Sequence, residues 1–179
     1  MTGRLFAVVG PSGAGKDTLL AGVCGAAGPY WVRRAITRPE SAGGEPFEGI
    51  TDAEFARREA RGDFALTWHA HGLAYGIPRR ELAFLDTGRD VLFNGSRAAL
   101  SHAASVFPDL AVIHISAPAQ ILAERLKGRG RETLGQIEAR MARDVEAIPA
   151  RLPVIEIVND TTIDDGVARL RAALRPDGP

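Results

Sequence analysis

An α/β fold, with a parallel sheet covered by helices on both faces in three layers, is what this sequence predicts. Short apolar runs alternate with helix-length patterned stretches along the 179 residues, the rhythm of parallel strands joined by crossover helices. A glycine-rich turn stands between the first run and the first helical stretch. The rhythm breaks over residues 34–88, rich in Gly, Pro, Arg and aromatics. This stretch reads as an insertion covering the carboxyl edge of the sheet, where ligands bind in such folds.

Taken in order, Leu5-Phe6-Ala7-Val8-Val9 is the first strand, and its unbroken apolar character suits burial on both faces. A helix starts near Lys16 and runs through Val23 towards Ala26. The insertion carries a short helix at Asp52–Ala60 with Thr51 or Asp52 as its cap. Arg89–Asn94, Leu110–Ile115 and Val154–Val158 are the later strands. Ala98–Val106, Ala119–Lys127, Leu134–Ile148 and Ile163–Leu174 are the later helices. This length is one domain, with a core of about 1–33, 89–125 and 144–179. The tail from Arg175 should fray.

At 45% hydrophobic and 25% charged residues, with a net charge of zero, the chain is ordinary globular protein. That balance argues against nucleic acid or a membrane surface as partner, and no apolar run approaches a leader or a membrane span. The single Cys24 excludes an internal disulfide and reads as a small buried residue of the first helix. The four histidines lack zinc-like spacing. The cytoplasm is the expected location, and a homodimer is compatible with the sequence.

The glycine-rich turn is Gly10-Pro11-Ser12-Gly13-Ala14-Gly15-Lys16-Asp17. It is a phosphate-binding P-loop in which Asp stands where the pattern wants Ser or Thr. Gly10, Ser12, Gly13, Ala14, Gly15, Lys16, Asp17 and Thr18 are thus the expected ATP contacts, through backbone amides and the positive end of the following helix. Of 22 Lys and Arg residues only Lys16 and Lys127 are Lys, and one of them stands where the outer phosphates need a cation. A carboxylate beside phosphates is repelled unless Mg²⁺ lies between them. No acidic residue ends the strands at Asn94 or Ile115, so Asp17 is the expected metal anchor; the alternative is a helix-capping role.

Two arginine clusters complete the pattern. Arg33-Arg34-Ala35-Ile36-Thr37-Arg38-Pro39 enters the insertion, and an extended chain there would put Arg34, Ile36 and Arg38 on one side. The second cluster begins at Arg125, passes Arg129 between two glycines, and reaches Arg140 and Arg143 one helical turn apart. Guanidinium forks match phosphate oxygens, so one cluster would hold an acceptor phosphate. The other, over about 126–143, would close over ATP as a lid, with Lys16, Arg129 and Arg140 neutralising the transferring group.

These segments together resemble the guanylate kinase family of nucleoside monophosphate kinases. The likeness rests on the P-loop, Thr37-Arg38-Pro39, Gly44-Glu45, Glu54-Phe55, Gly72 through Tyr75-Gly76, the lid arginines and Val158-Asn159-Asp160. It implies that Asn159 lies beside the adenine ring. It also implies an acceptor that is already a phosphate and so needs no general base. The base-reading residues of that family are missing, however. Its guanine-binding Glu falls at about Leu66, a hydroxyl becomes Ile77 and an Asp falls at Ser96; the second phosphate Arg becomes Ser41, and a Tyr becomes Phe47.

A narrower resemblance fits the remainder: the ribose 1,5-bisphosphate phosphokinase family of phosphonate catabolism. It is carried by Gly15-Lys16-Asp17, Thr37-Arg38-Pro39, Trp68-His69-Ala70-His71-Gly72-Leu73-Ala74-Tyr75-Gly76 and Asn94-Gly95-Ser96-Arg97. The resemblance implies transfer of the γ-phosphoryl of ATP to the C1 phosphate of ribose 1,5-bisphosphate, giving 5-phosphoribosyl 1-diphosphate (PRPP) and ADP. Arg34, Arg38, Arg97 and Tyr75 would meet its phosphates, Asn94 and Ser96 its hydroxyls, and Trp68 and His69 (with His71) either phosphate. A guanylate kinase, a catalytically silent binding module of the same fold and a kinase for another sugar phosphate or acid are the alternatives left open.

Overall fold

The computed structural model describes residues 2–42, 44–128 and 147–175. A five-stranded parallel sheet forms the core in the order β2-β7-β1-β8-β9. Its strands are β1 (Leu5–Val9), β2 (Tyr30–Trp31), β7 (Val91–Asn94), β8 (Ala111–Ser116) and β9 (Val154–Val158). β1 is central and every residue of it is buried, as an apolar run between two helical layers should be. On one face pack α1 (Lys16–Val23) and α5 (Ile163–Ala173), where Phe6, Val8, Leu19, Ile113, Ile115 and Leu170 share one cluster with Leu122 of α4 (Ala119–Gly128). The other face carries Ala7, Val9, Phe93 and Val112 against Leu100 and Ala103 of α3 (Leu100–Val106).

The insertion is itself a sheet. β3 (Arg34–Ile36), β4 (Phe47–Gly49), β5 (Phe64–Ala70) and β6 (Leu73–Pro78) pair in the order β4-β3-β6-β5, backed by α2 (Asp52–Ala60). Of the two candidate caps the structure selects Thr51, whose hydroxyl accepts from the Glu54 N–H. β5 and β6 turn on His71-Gly72, both at positive φ (53° and 74°), as a two-residue hairpin turn requires. A register shift between Phe64 and Leu66 sorts the hairpin's side chains. Phe64 stacks on Phe55 of α2, while Leu66 and Trp68 join the core of the main sheet with Val32 and Phe93. The chain leaves the main sheet after β2 and returns to β7 through a 3₁₀ stretch, Arg79–Thr87. Buried Glu81 pins that return by accepting from the Tyr30 hydroxyl (2.7 Å) and the Arg33 N–H (2.8 Å).

Several expected boundaries move. The first helix stops at Val23, and Cys24 caps it, donating its N–H to Leu20 O. Burial pushes the Cys24 thiol up to about 12, so it is no nucleophile. Arg89 and Asp90 precede rather than join β7, the first turn of Ala98–Val106 is 3₁₀, and the two-residue β2 had no periodicity to announce it. The expected run of Arg34, Ile36 and Arg38 along one strand is corrected: β3 ends at Ile36, and the Arg38 N–H turns back to Ile36 O at 2.9 Å. The expected helix at Leu134–Ile148 lies outside the described residues apart from its last two, which are not helical. Among the described residues no helix is long and apolar enough to cross a membrane.

Candidate active site

The turn after β1 has a backbone that side chains rarely tolerate. Gly15 has φ 90°, and a Cβ there would stand 2.5 Å from Asn159 Nδ2. Gly10 has φ 149°, and its Cβ would meet Ile115 O at 2.0 Å. The helices α2 and α5 carry threonine caps, whereas α1 begins at Gly15 with no side-chain cap. The first-turn amides of α1 therefore point at whatever anion the loop encloses. Lys16 Nζ donates to the carbonyls of Gly10 (2.7 Å) and Pro11 (3.1 Å), folded along the rim of the loop.

Three groups brace the loop from outside. Asn159 Nδ2 donates to Ala14 O at 2.7 Å, and Asn159 Oδ1 faces Gly166 of α5, so this residue is a spacer between loop and helix. Arg125 of α4 donates to Gly13 O at 3.4 Å. Leu122 and Leu126 close on Gly13 from the same helix.

Across the carboxyl edge a polar chain links the loop to the inserted sheet. Asn94 ends β7 and is only 4% exposed. Its Nδ2 donates to Asp17 Oδ1 and to Glu45 Oε2, each at 2.9 Å. Glu45 in turn pairs with Arg34; both side chains are more than nine-tenths buried, and Arg34 Nε donates to Glu45 Oε2 at 3.1 Å. The guanidinium of Arg34 lies over the rings of Trp68 and Tyr75. Arg38 lies 4.3 Å over the ring of Phe47, and its Nη2 and Asp17 Oδ2 both come within 4 Å of a Cβ built on Gly44.

Asp17, Arg34, Arg38, Trp68, Tyr75 and Asn94 are thus brought together. Ser96 and Arg97 stand half-buried in the turn after β7. His69 is exposed on the opposite face of the hairpin from Trp68, edge-on to Phe55 of α2, and His71 occupies the turn. Arg129, Arg140 and Arg143 lie outside the described residues.

Glu45 is the site residue that sequence reading missed as an electrostatic partner. The signal available was the placing of Arg34 two residues before Ile36 in an extended run, which puts the two on one face. A buried guanidinium requires a carboxylate. Among the described residues no three His, Cys, Asp or Glu side chains gather closely enough to hold a metal by themselves. Mg²⁺ takes one or two carboxylates and completes its shell with substrate phosphates and water; Asp17, exposed beside the phosphate loop, suits that role, whereas both oxygens of Glu45 are taken up by Arg34 and Asn94.

A loop shaped for phosphate at the carboxyl edge of a parallel sheet, with a second sheet tied to it by buried charge, places the chain among proteins of P-loop fold. Its architecture is that of the guanylate kinase from Anaplasma phagocytophilum, at a TM-score of 0.70 and 21% identity over 97% of this chain and 85% of that one. No protein-family model matches. Ribose 1,5-bisphosphate phosphokinase PhnN of Pseudomonas paraeruginosa is 42% identical, and the match takes in 99% of this chain and 98% of that protein. The chain belongs to the ribose 1,5-bisphosphate phosphokinase family. A bifunctional ribose 1,5-bisphosphokinase-thymidine phosphorylase from Cupriavidus necator is 46% identical over 97% of this chain, which spans 29% of that longer protein's length.

Proposed function

We propose that the chain transfers the γ-phosphoryl group of ATP to the C1 phosphate of ribose 1,5-bisphosphate, forming PRPP and ADP. An oxygen of the C1 phosphate attacks the γ-phosphorus while the bond from that phosphorus to the β,γ-bridging oxygen breaks. Because the acceptor oxygen is already anionic, no proton has to be removed. Catalysis then comes down to positioning and charge neutralisation.

The observation that carries the reading is the polar chain from exposed Asp17 through buried Asn94 and Glu45 to Arg34, which ties the phosphate loop to an acceptor sheet. The floor of that sheet supports a sugar acceptor. Leu66 and Ile77 face each other across the hairpin, both buried, and offer no hydrogen bond to a base. In this reading Lys16 and the loop amides hold the ATP phosphates, while Arg125 and Asn159 keep the loop in shape. Arg38, Arg97 and Tyr75 hold the acceptor phosphates, Asn94 and Ser96 the sugar, and Arg34 is their buried support. Arg129 and Arg140 neutralise the migrating group from the lid. The reaction belongs in the cytoplasm with its ATP.

Asp17 would hold Mg²⁺, which neutralises the β- and γ-phosphates when bound. Asp17→Ser should lower turnover roughly 10–100-fold and raise the Mg²⁺ needed for half-maximal rate. It should also weaken Mn²⁺ binding in the presence of ADP, read by electron paramagnetic resonance. Unchanged Mn²⁺ binding would leave Asp17 as an acidic residue of the first turn of α1 that accepts from Asn94; a capping role is already excluded, since Gly15 is the N-cap and no side chain caps the helix.

The acceptor is decided by following ADP release from MgATP with ribose 1,5-bisphosphate, ribose 5-phosphate or GMP in parallel. Turnover confined to the bisphosphate, with a diphosphate product, is expected. Turnover with GMP alone would overturn the assignment in favour of a guanylate kinase.

A further inference from the structure

Trp68 is the bulkiest side chain on the inner face of the β5–β6 hairpin and is only 8% exposed. Its indole lies beside the phenol of Tyr75, its direct neighbour across the hairpin, with ring centroids 5.3 Å apart and planes 5° from parallel. The Arg34 guanidinium covers both rings, 5.4 Å from the indole centroid and 5.0 Å from that of the phenol. Leu66, Ile77, Val32 and Phe93 share the apolar cluster beneath. An aromatic neighbour, a guanidinium above and an apolar floor are surroundings in which proteins hold nucleobases. Indole and purine are both flat fused bicycles of similar size. Here the chain's own indole fills such surroundings. Through Glu45 and Asn94 the same Arg34 is tied to Asp17, so the filled pocket stands on the acceptor side of the phosphate loop.

We infer that Trp68 determines specificity by barring nucleoside monophosphates from the acceptor site. A base can enter only by displacing an indole already packed against Tyr75 and Arg34. A sugar bisphosphate has no base to place there. The kinetic part of the test rests on the acceptor proposed above; the binding part does not.

Trp68→Ala empties a bicycle-sized void lined by Tyr75 and Arg34, and Trp68→Leu empties part of it with less loss of packing should the alanine variant fail to fold. Apolar voids of this kind take up flat apolar ligands. Indole should therefore raise the unfolding temperature of Trp68→Ala and not of the wild type. AMP and GMP, titrated calorimetrically, should bind either folded variant about 10-fold or more tightly than they bind the wild type. The kcat/KM ratio of AMP or GMP to ribose 1,5-bisphosphate should rise by a similar factor, and Trp68→Phe should retain the wild-type preference. Unchanged affinity for both monophosphates in a folded variant overturns the inference, whether or not indole binds. Failure of the wild type to use ribose 1,5-bisphosphate would overturn the acceptor instead, and the titrations would still decide the role of Trp68.

Discussion

Lys16→Ala should lower turnover by roughly 10³-fold while leaving the fold intact, the larger of the two effects expected here. In the structure the ammonium group donates to the Gly10 and Pro11 carbonyls on the loop's rim, so it is held beside the place where phosphate oxygens would lie. As the γ-phosphoryl group leaves, negative charge grows on the β,γ-bridging oxygen, and a cation fixed there stabilises the transition state more than the ground state. The loop has supports besides the two hydrogen bonds from Lys16. Its shape comes from Gly10 and Gly15 at positive φ and from Asn159 donating to Ala14 O. Thermal unfolding should accordingly move little, and single-turnover rates with saturating MgATP should carry the loss. Lys16→Arg should not restore the rate, since a planar fork does not replace a compact point charge. A fall of less than about 10-fold would remove Lys16 from the reaction.

Glu45→Ala should destabilise the protein by about 3–5 kcal/mol, because it strands the Arg34 guanidinium away from water with nothing of opposite charge on it. Arg34 is 8% exposed in its side chain and Glu45 7%, so water cannot step in to solvate the survivor. The aromatic faces of Trp68 and Tyr75 return only a part of that loss. The same change takes one of two acceptors from Asn94 Nδ2, which loosens the link to Asp17. Urea unfolding should show the lowered midpoint. The double variant Arg34→Met, Glu45→Leu should recover most of the stability, since removing both charges of a buried pair is close to neutral. It should not recover activity, because Asn94 and Asp17 remain uncoupled from the acceptor sheet. A Glu45→Ala protein as stable as the wild type would mean that the pair is solvated in solution.

Much of this was legible in the chain. The main strands, the helices α1, α2 and α5 and the P-loop follow from local rules. An apolar run buried on both faces, a Thr before an acidic first turn and glycines at fixed offsets before a Lys all act over a few residues. The two-residue β2 was not legible, since two residues have no period. The side chains of β5 were not legible either. The register shift between Phe64 and Leu66 decides that Trp68 faces the main sheet while His69 faces α2, and a simple alternation does not reveal where it is interrupted. Arg38 was misplaced for a related reason: a single backbone hydrogen bond to Ile36 O ended the strand that would have aligned it with Arg34.

The sequence by itself determined that a phosphate loop would form here, because Gly10 to Asp17 specify their own backbone and the helix that follows. It also carries the expectation that the base-reading groups of a guanylate kinase are absent, since the resemblance matches Leu66, Ile77 and Ser96 to a Glu, a hydroxyl and an Asp of that family. Which charges neutralise each other was decided only by the tertiary structure. Arg34, Glu45, Asn94 and Asp17 come from four separated stretches, and no local rule links them. They meet because the inserted sheet is buried against the main one, and a buried charge has to find its opposite.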